Sequence, residues 1–218
     1  AGLPSGPQIP LTMASVHRRA GRFDRAIALY LRATEVDPRY WGSWWNLAET
    51  YWLVRRFDDA VDAVDRAIDL GLNVGDGWTF KANVRLYGLG RPQDALATLD
   101  SVPADLATGE YRPDLVEADA HLFLGRYDSA LAATDSTTVE NRFVVRPPAL
   151  IRALVHYHSG SPEAARAAFD TARSVLEERL DRYPDDVRLL GALGIARAGL
   201  GDEEAALRLA AAARDQLP

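Results

Sequence analysis

The stretch Gly21–Pro38, GRFDRAIALYLRATEVDP, decides the fold because a copy of it recurs at Arg55–Leu72, RRFDDAVDAVDRAIDLGL. Both copies open with a glycine or an arginine, pass through an aromatic and an acidic residue, and continue with alanines and large apolar residues at helical spacing. Ala26 and Ala60 mark the same place in the two copies. Their separation, a period of about 34 residues, is typical of an array of helix-turn-helix repeats.

The repeat continues along the chain when it is aligned on this alanine, which we call the anchor. Five residues before the anchor stands a glycine in five of the six repeats and Arg55 in the remaining one, and a glycine there tolerates the positive φ that closes the first helix of each pair. An aromatic residue or a proline usually stands three before the anchor, and a small residue usually stands twelve before it. The six anchors are Ala26, Ala60, Ala95, Ala130, Ala165 and Ala206.

These columns predict a single domain over residues 11–218, preceded by a proline-rich leader at residues 1–10. The first helix is expected to begin near Leu11, because proline disfavours helix before it. The predicted repeats are approximately 11–38, 39–72, 73–106, 111–141, 147–183 and 185–218.

One repeat is longer than the others and two are less regular. The interval from Ala165 to Ala206 exceeds the usual period by about seven residues, which is close to two helical turns, so the buried face stays in register. We therefore expect the second helix of repeat five to run over about Pro162–Arg182 and to project beyond its neighbours. Stretches rich in Pro, Gly, Ser, Thr and Asp predict short second helices in repeats three and four, with a β-prone run at Phe143–Val145.

Composition excludes several classes of function. A formal net charge of −6 argues against nucleic-acid binding, and the absence of cysteine excludes disulfides and thiolate chemistry. No apolar run is long enough to span a membrane, so no membrane insertion is expected. The basic residues are almost all arginine, which favours a bacterial source, and the start without methionine and the lack of cysteine favour an extracytoplasmic location over a cytoplasmic one.

No catalytic, metal or cofactor site is predicted, and the chain is not expected to be an enzyme. His17, His121 and His156 each stand nine residues before an anchor, which indicates one repeated packing position rather than a set of metal ligands. No nucleophile elbow, phosphate loop or dinucleotide fingerprint occurs. The acidic pairs stand at the starts of helices, where they complement the helix dipole.

Three features together resemble the tetratricopeptide repeat (TPR) family: TEVDP at residues 34–38, Trp44, and the Gly–aromatic–Ala spacing. The part from FDTARSVLEERLDRYPDDV at residue 169 onward is similar to the last repeats of bacterial TPR proteins that carry a TolB-like or serine/threonine kinase segment. The resemblance implies an all-α fold, a right-handed α-solenoid of about six repeats, whose first helices line a concave groove that binds a protein or a peptide.

The same resemblance singles out the residues expected to face that groove. In the family these stand about fifteen and eight residues before the anchor, and here most of them are aromatic or apolar. Trp45 and Trp52 are two turns apart on one helix face, and Phe80 and Tyr87 repeat that spacing. A carboxylate clamp is not expected, because only Asn46 and Lys81 match the clamp of chaperone-tail TPRs. The predicted groove residues are Trp45, Trp52, Phe80, Tyr87, Leu115 and Tyr157.

The predicted function is a non-catalytic scaffold that binds a peptide or protein segment in this apolar, aromatic groove. One alternative is a structural subunit that stacks head to tail into a ring or a filament, because both ends of a repeat array expose helix faces. A further alternative is a regulatory or sensor arm of a larger bacterial signalling protein. The residues predicted for end-to-end contact are Leu11, Val16, Ala206, Leu209, Ala210 and Ala213.

Overall fold

The computed structural model describes residues 7–72, 74–103, 114–134, 139–140 and 144–216, and these are almost entirely helical. Consecutive helices pair through tight corners, so the predicted all-α helical repeat fold is confirmed. The described α-helices are α1 Gln8–Arg19, α2 Phe23–Val36, α3 Trp41–Leu53, α4 Phe57–Asp69, α5 Val74–Asn83, α6 Pro92–Asp100, α7 Asp114–Phe123, α8 Tyr127–Ala132, α9 Pro148–His158, α10 Pro162–Arg182, α11 Val187–Gly199 and α12 Glu203–Asp215.

The first helix begins earlier than the sequence predicted. It starts at Gln8, so the prediction that Gln8–Pro10 belong to a non-helical leader is wrong. Pro10 is tolerated because it lies in the first turn, where a backbone N–H has no acceptor within the helix. The Leu11 N–H then donates to the Pro7 carbonyl at 3.0 Å. The rest of the predicted leader, residues 1–6, lies outside the described residues.

The chain divides into two compact units, residues 1–116 and 117–218, each with its own core. The first core is centred on the helices α1 to α5, and the second on the helices α9 to α11 together with Val145. The arrangement of all six repeats as one domain remains a prediction. The largest fully buried side chains of the two cores are Tyr30, Leu47, Val64 and Val84 in the first and Val145, Leu150, Leu176 and Leu189 in the second.

Every corner that follows a first helix has a residue with a left-handed backbone, as the repeat predicted. The φ angles at these six positions lie between 63° and 83°. Five of the residues are glycine, which adopts this conformation without a steric penalty, and the remaining one is Arg55. After the corner glycine of repeat one, the Arg22 N–H donates to the His17 carbonyl at 2.9 Å and so closes the helix.

Repeat three holds one extra residue in its first helix. The extra residue is accommodated by a π turn at Val84–Gly88, in which the Leu89 N–H donates to the Val84 carbonyl at 3.0 Å. Each residue of α5 therefore corresponds to a residue of α3 that stands earlier in the chain by the separation of Ala26 and Ala60. In repeat three the small buried residue of the first helix is accordingly Ala82, whereas counting twelve residues back from the anchor Ala95 gives Asn83. For the same reason Phe80 corresponds to Asn46 of α3 rather than to Trp45.

The second helices have the predicted lengths. α10 spans 21 residues against 13 or 14 in α2 and α4, whereas α6 has 9 and α8 has 6. An antiparallel ladder of β1 (Val139–Glu140) and β2 (Val145–Arg146) lies beside the second core. Glu140 binds Arg179 of α10 at 2.7 Å and Arg188 of α11 at 3.3 Å.

Candidate partner-binding surface

Three of the predicted groove residues meet in one cluster on the first unit. The Trp45 and Phe80 rings contact edge to face with centroids 5.1 Å apart, and the Trp52 and Phe80 centroids are 6.1 Å apart. Trp52 also contacts Phe57 at 5.4 Å. We call Trp45, Trp52 and Phe80 the aromatic cluster. Its members pack against the first core, yet each keeps part of its surface exposed.

The aromatic cluster lies on the first helices α3 and α5, next to an ion pair. Trp45, Glu49 and Trp52 follow one another at helical spacing and share one face of α3. The Glu49 carboxylate binds the Arg18 guanidinium of α1 at 2.9 Å, and both side chains are partly exposed. The same surface therefore offers apolar aromatic edges next to an ion pair.

The other predicted groove residues are placed differently. Tyr87 is exposed in the π turn of repeat three. Because that turn inserts a residue, Tyr87 is not directly above Phe80 on a regular helix face. Leu115 is partly buried in α7. Tyr157, in the second unit, is 65% exposed and contacts the His158 ring edge to face at 5.4 Å. The structure thus brings together three of the six residues.

Other aromatic residues of α3 have packing roles. Tyr51 is buried, and the Arg56 guanidinium lies over its ring at 4.4 Å. Burial, more than the neighbouring charges, raises the pKa of the Tyr51 phenol above its ordinary value, so this group is neutral at physiological pH. The Trp44 indole N–H donates to the Pro38 carbonyl at 3.1 Å and fixes the loop before α3.

The two residues that match a carboxylate clamp are engaged within the fold. The Asn46 amide nitrogen donates to the Gly42 carbonyl at 2.7 Å. The Lys81 ammonium forms an ion pair with Asp65 of α4 and lies 5.7 Å from the centroid of the Trp78 ring. Both side chains therefore make their described contacts within the first unit.

Some of the residues predicted for end-to-end contact pack within the fold, and others are exposed. A Cβ atom at Gly194 of α11 would lie 3.6 Å from the Ala206 carbonyl oxygen and 3.7 Å from the Leu209 Cβ, so these two residues face α11. Leu11 packs against the first core, and Ala213 is partly buried. Val16 and Ala210 are exposed. Leu207 of α12 is a large apolar residue that is 63% exposed, and the sequence did not single it out.

A family model described as tetratricopeptide repeat matches residues 11–72 and 115–174, which together are more than half of the chain. The chain belongs to the tetratricopeptide repeat family. The first matched range contains repeats one and two with the aromatic residues of α3, and the second contains the described helices α8 and α9 and most of α10.

Solved TPR structures share this fold at low sequence identity. PilW, a widely conserved type IV pilus biogenesis factor, is 19% identical with a TM-score of 0.60, and the match covers 97% of this chain and 92% of PilW. A tetratricopeptide repeat protein from Parabacteroides merdae is 13% identical with a TM-score of 0.68, covering 98% and 79%. A chain of the APC/C hetero-tetramer Cut9-Hcn1 is 14% identical with a TM-score of 0.61, covering 98% and 42%. No curated protein sequence matches the chain.

The described part of this TPR chain offers neither a membrane span nor a metal cluster. Among the helices that the structure describes, none is both long and apolar enough to cross a membrane. Within the same residues, no group of three or more His, Asp or Glu side chains could hold a metal ion. His17 takes part in local packing instead, since its Nδ1 accepts a hydrogen bond from Arg22 Nε at 2.7 Å.

Proposed function

We propose that this TPR chain is a non-catalytic scaffold that binds a peptide or protein segment through the aromatic cluster. The observation that carries the proposal is the partly exposed Trp45–Phe80–Trp52 arrangement on adjacent first helices. TPR proteins are in general repeat scaffolds without catalytic activity, which supports both parts of the proposal.

The chemistry of this surface favours apolar side chains of a partner. Aromatic rings supply a large apolar area at a small conformational cost, and such rings are enriched where binding energy is concentrated. The neighbouring Arg18–Glu49 ion pair can orient polar backbone groups of an extended segment. A partner that covers the remaining exposed surface of one tryptophan gains on the order of 1–2 kcal/mol, because part of the ring is already buried against the first core.

The experiment is a selection of random displayed peptides on the immobilised protein, followed by titration of each enriched peptide against variants. Trp52→Ala should weaken binding roughly tenfold, since about 1.4 kcal/mol corresponds to a factor of ten. Trp41→Ala is the matched control, because Trp41 lies on the same helix, is exposed and stacks on Tyr40 rather than joining the cluster.

Far-UV circular dichroism establishes that both variants are folded before binding is compared. Enriched peptides that bind Trp52→Ala and Trp41→Ala equally well would contradict the proposed surface. A selection that enriches no peptide sequence would contradict the proposed function itself.

A further inference from the structure

Arg55 stands at a corner where the other repeats have glycine. Its φ is 63°, in the left-handed region that a residue with a Cβ atom adopts only at a cost in stability. The five glycines at the equivalent corners have φ angles between 65° and 83°. A Cβ atom built on any of these five glycines meets no neighbouring atom within 4 Å, so a side chain at this position projects away from the fold.

The Arg55 guanidinium is unused in the described fold. It is exposed, and it forms no ion pair, hydrogen bond or ring contact with any residue that the structure describes. The next residue differs, because Arg56 binds the Asp59 carboxylate at 2.7 Å and lies over the Tyr51 ring at 4.4 Å. Strained backbone is concentrated at functional sites. The strain at Arg55 thus supports a side chain that is available to a partner from outside the fold.

Arg55 lies at the same end of α3 as part of the aromatic cluster. Its backbone N–H donates to the Trp52 carbonyl at 3.1 Å. Leu53, which stands between these two residues, is 54% exposed. Trp52 is partly exposed and contacts Phe80. A free cation and exposed apolar surface therefore occur together at this end of the helix.

The corners of the first unit are basic as a group. The three stretches of nine residues that correspond to 51–59 hold seven arginines and four aspartates, a formal charge of +3 with histidine neutral. The equivalent stretches of the second unit hold two arginines and five acidic residues, a formal charge of −3. The whole chain carries −6, so the first unit is a local exception. The stretches are 17–25, 51–59 and 86–94 in the first unit and 121–129, 156–164 and 197–205 in the second.

A single carboxylate suits this surface better than a polyanion does. A guanidinium can donate two parallel hydrogen bonds to one carboxylate. Asp24 and Asp58 are exposed among the corner arginines, form no ion pair within the described part of the chain, and would repel a run of phosphates. The net charge of the whole chain also disfavours a polyanion. A protein segment with one acidic residue close to an apolar one satisfies both the cation and the apolar surface.

We infer that the partner segment carries an Asp or Glu close to an apolar side chain, with the apolar side chain on the aromatic cluster and the carboxylate on Arg55. This inference rests on the proposed function, since it assigns the chemistry of the same partner. Arg55 stands three residues after Trp52, and an extended segment advances about 3.3 Å per residue, so the acidic residue lies within about four residues of the apolar one. The contact accounts for an arginine at a corner where glycine gives less strain.

The experiment carries out the displayed-peptide selection on wild type and on Arg55→Gly. Wild type should enrich peptides in which Asp or Glu stands within about four residues of an aromatic or aliphatic residue. Arg55→Gly should enrich the apolar residue without the acid.

An acidic peptide enriched on wild type is then titrated against both proteins, unchanged and with its acidic residue replaced by the amide. Either change alone should weaken binding roughly threefold to fivefold at low salt, the range of an exposed ion pair. The two changes together should weaken it no more than one alone, because both remove the same pair.

Two further variants separate the charge of Arg55 from its backbone and from general electrostatics. Arg55→Asn removes the charge with a residue that also adopts the left-handed conformation, and it should weaken binding as Arg55→Gly does. Arg66→Gln is the matched charge control, because Arg66 is exposed on α4 and makes no ion pair with a described residue. Arg66→Gln should bind the acidic peptide like wild type. Since glycine relieves strain at the corner, weaker binding by Arg55→Gly cannot result from unfolding.

The outcomes distinguish this inference from the proposed function. Enriched peptides without acidic residues, or an acidic peptide that binds Arg55→Gly as tightly as wild type, would overturn the inference and leave the aromatic cluster as the proposed surface. Binding to phosphatidylserine vesicles or single-stranded DNA that depends on Arg55, in place of acidic peptides, would also overturn it. A wild-type protein that enriches no peptide would contradict the proposed function and the inference together.

Discussion

Replacing Arg55 by glycine should make the first unit more stable. Arg55 is the non-glycine residue with positive φ among the described residues, at 63°. The corner before it in the array has the same sequence apart from this position: Gly21-Arg22-Phe23-Asp24 against Arg55-Arg56-Phe57-Asp58. The two corners therefore provide a matched pair in which only one residue differs.

The expected magnitude follows from two opposing contributions. A left-handed backbone costs an L-residue about 1–2 kcal/mol because its Cβ approaches the following carbonyl oxygen, and glycine removes that cost. Glycine also makes the unfolded chain more flexible, which reduces stability by about 0.4–1 kcal/mol. Arg55→Gly should therefore raise the free energy of unfolding by about 0.5–1 kcal/mol, and Gly21→Arg should lower it by a similar amount.

Urea unfolding followed by tryptophan fluorescence is the suitable assay. The five tryptophans all lie between residues 41 and 78, so their signal reports on the first unit, where both corners are located. The midpoint should move up for Arg55→Gly and down for Gly21→Arg, with an unchanged slope. If Arg55→Gly lowers the midpoint, the strain assigned to this corner is absent.

Three further predictions concern the second unit, and far-UV circular dichroism of thermal unfolding measures each. Gly199→Ala places a Cβ 2.4 Å from the buried Phe169 ring and should cost about 1–3 kcal/mol. Gly191→Ala on the same helix meets nothing within 4 Å and should gain about 0.5–1 kcal/mol, so equal effects would be inconsistent with the packing described. Glu140→Gln should cost less than about 1 kcal/mol, and the cost should shrink at high salt, because the lost pairs with Arg179 and Arg188 are partly exposed. The hydrogen bond from Arg188 lowers the pKa of Asp186, so its contribution is present above the unfolded-state pKa of about 3.9 and is lost as pH falls through the lower folded-state pKa. Asp186→Asn should accordingly lose less stability than wild type between about pH 5 and pH 2, and parallel pH profiles would contradict this.

Local features of the repeat could be predicted from sequence because they depend on a few neighbouring residues. Glycine at the corner of five repeats predicts a positive φ there, and the structure shows that Arg55 adopts the same conformation at the remaining corner. The length of α10 followed from the inserted residues, which preserve the buried face. The start of α1 differs from the prediction because a first turn accepts Pro10, although proline breaks a helix interior.

The extra residue of repeat three could not be located from sequence. Ala82 and Asn83 are adjacent, and the separation of the anchors Ala60 and Ala95 allows either of them to be the small buried residue of the first helix. The π turn resolves this by placing the insertion after Val84, which moves Phe80 out of the column of Trp45. Phe80 nevertheless contacts both tryptophans, because a large ring reaches across the gap between adjacent helices.

Of the residues predicted for end-to-end contact, Val16 and Ala210 are exposed, whereas Ala206 and Leu209 are partly buried. The sequence favours Ala206 and Leu209 for an end contact because they are small or apolar, whereas the structure turns both toward α11.

Fluorine NMR of the protein labelled with fluorotryptophan tests the proposed binding surface most directly. Each tryptophan gives its own resonance, which is assigned by single substitution, and a peptide enriched in the selection is then titrated in. We expect the resonances of Trp45 and Trp52 to shift and saturate together with the bound fraction of peptide, while that of Trp41 stays in place. A titration that saturates with Trp45 and Trp52 unmoved would contradict the assignment of the aromatic cluster as the partner contact.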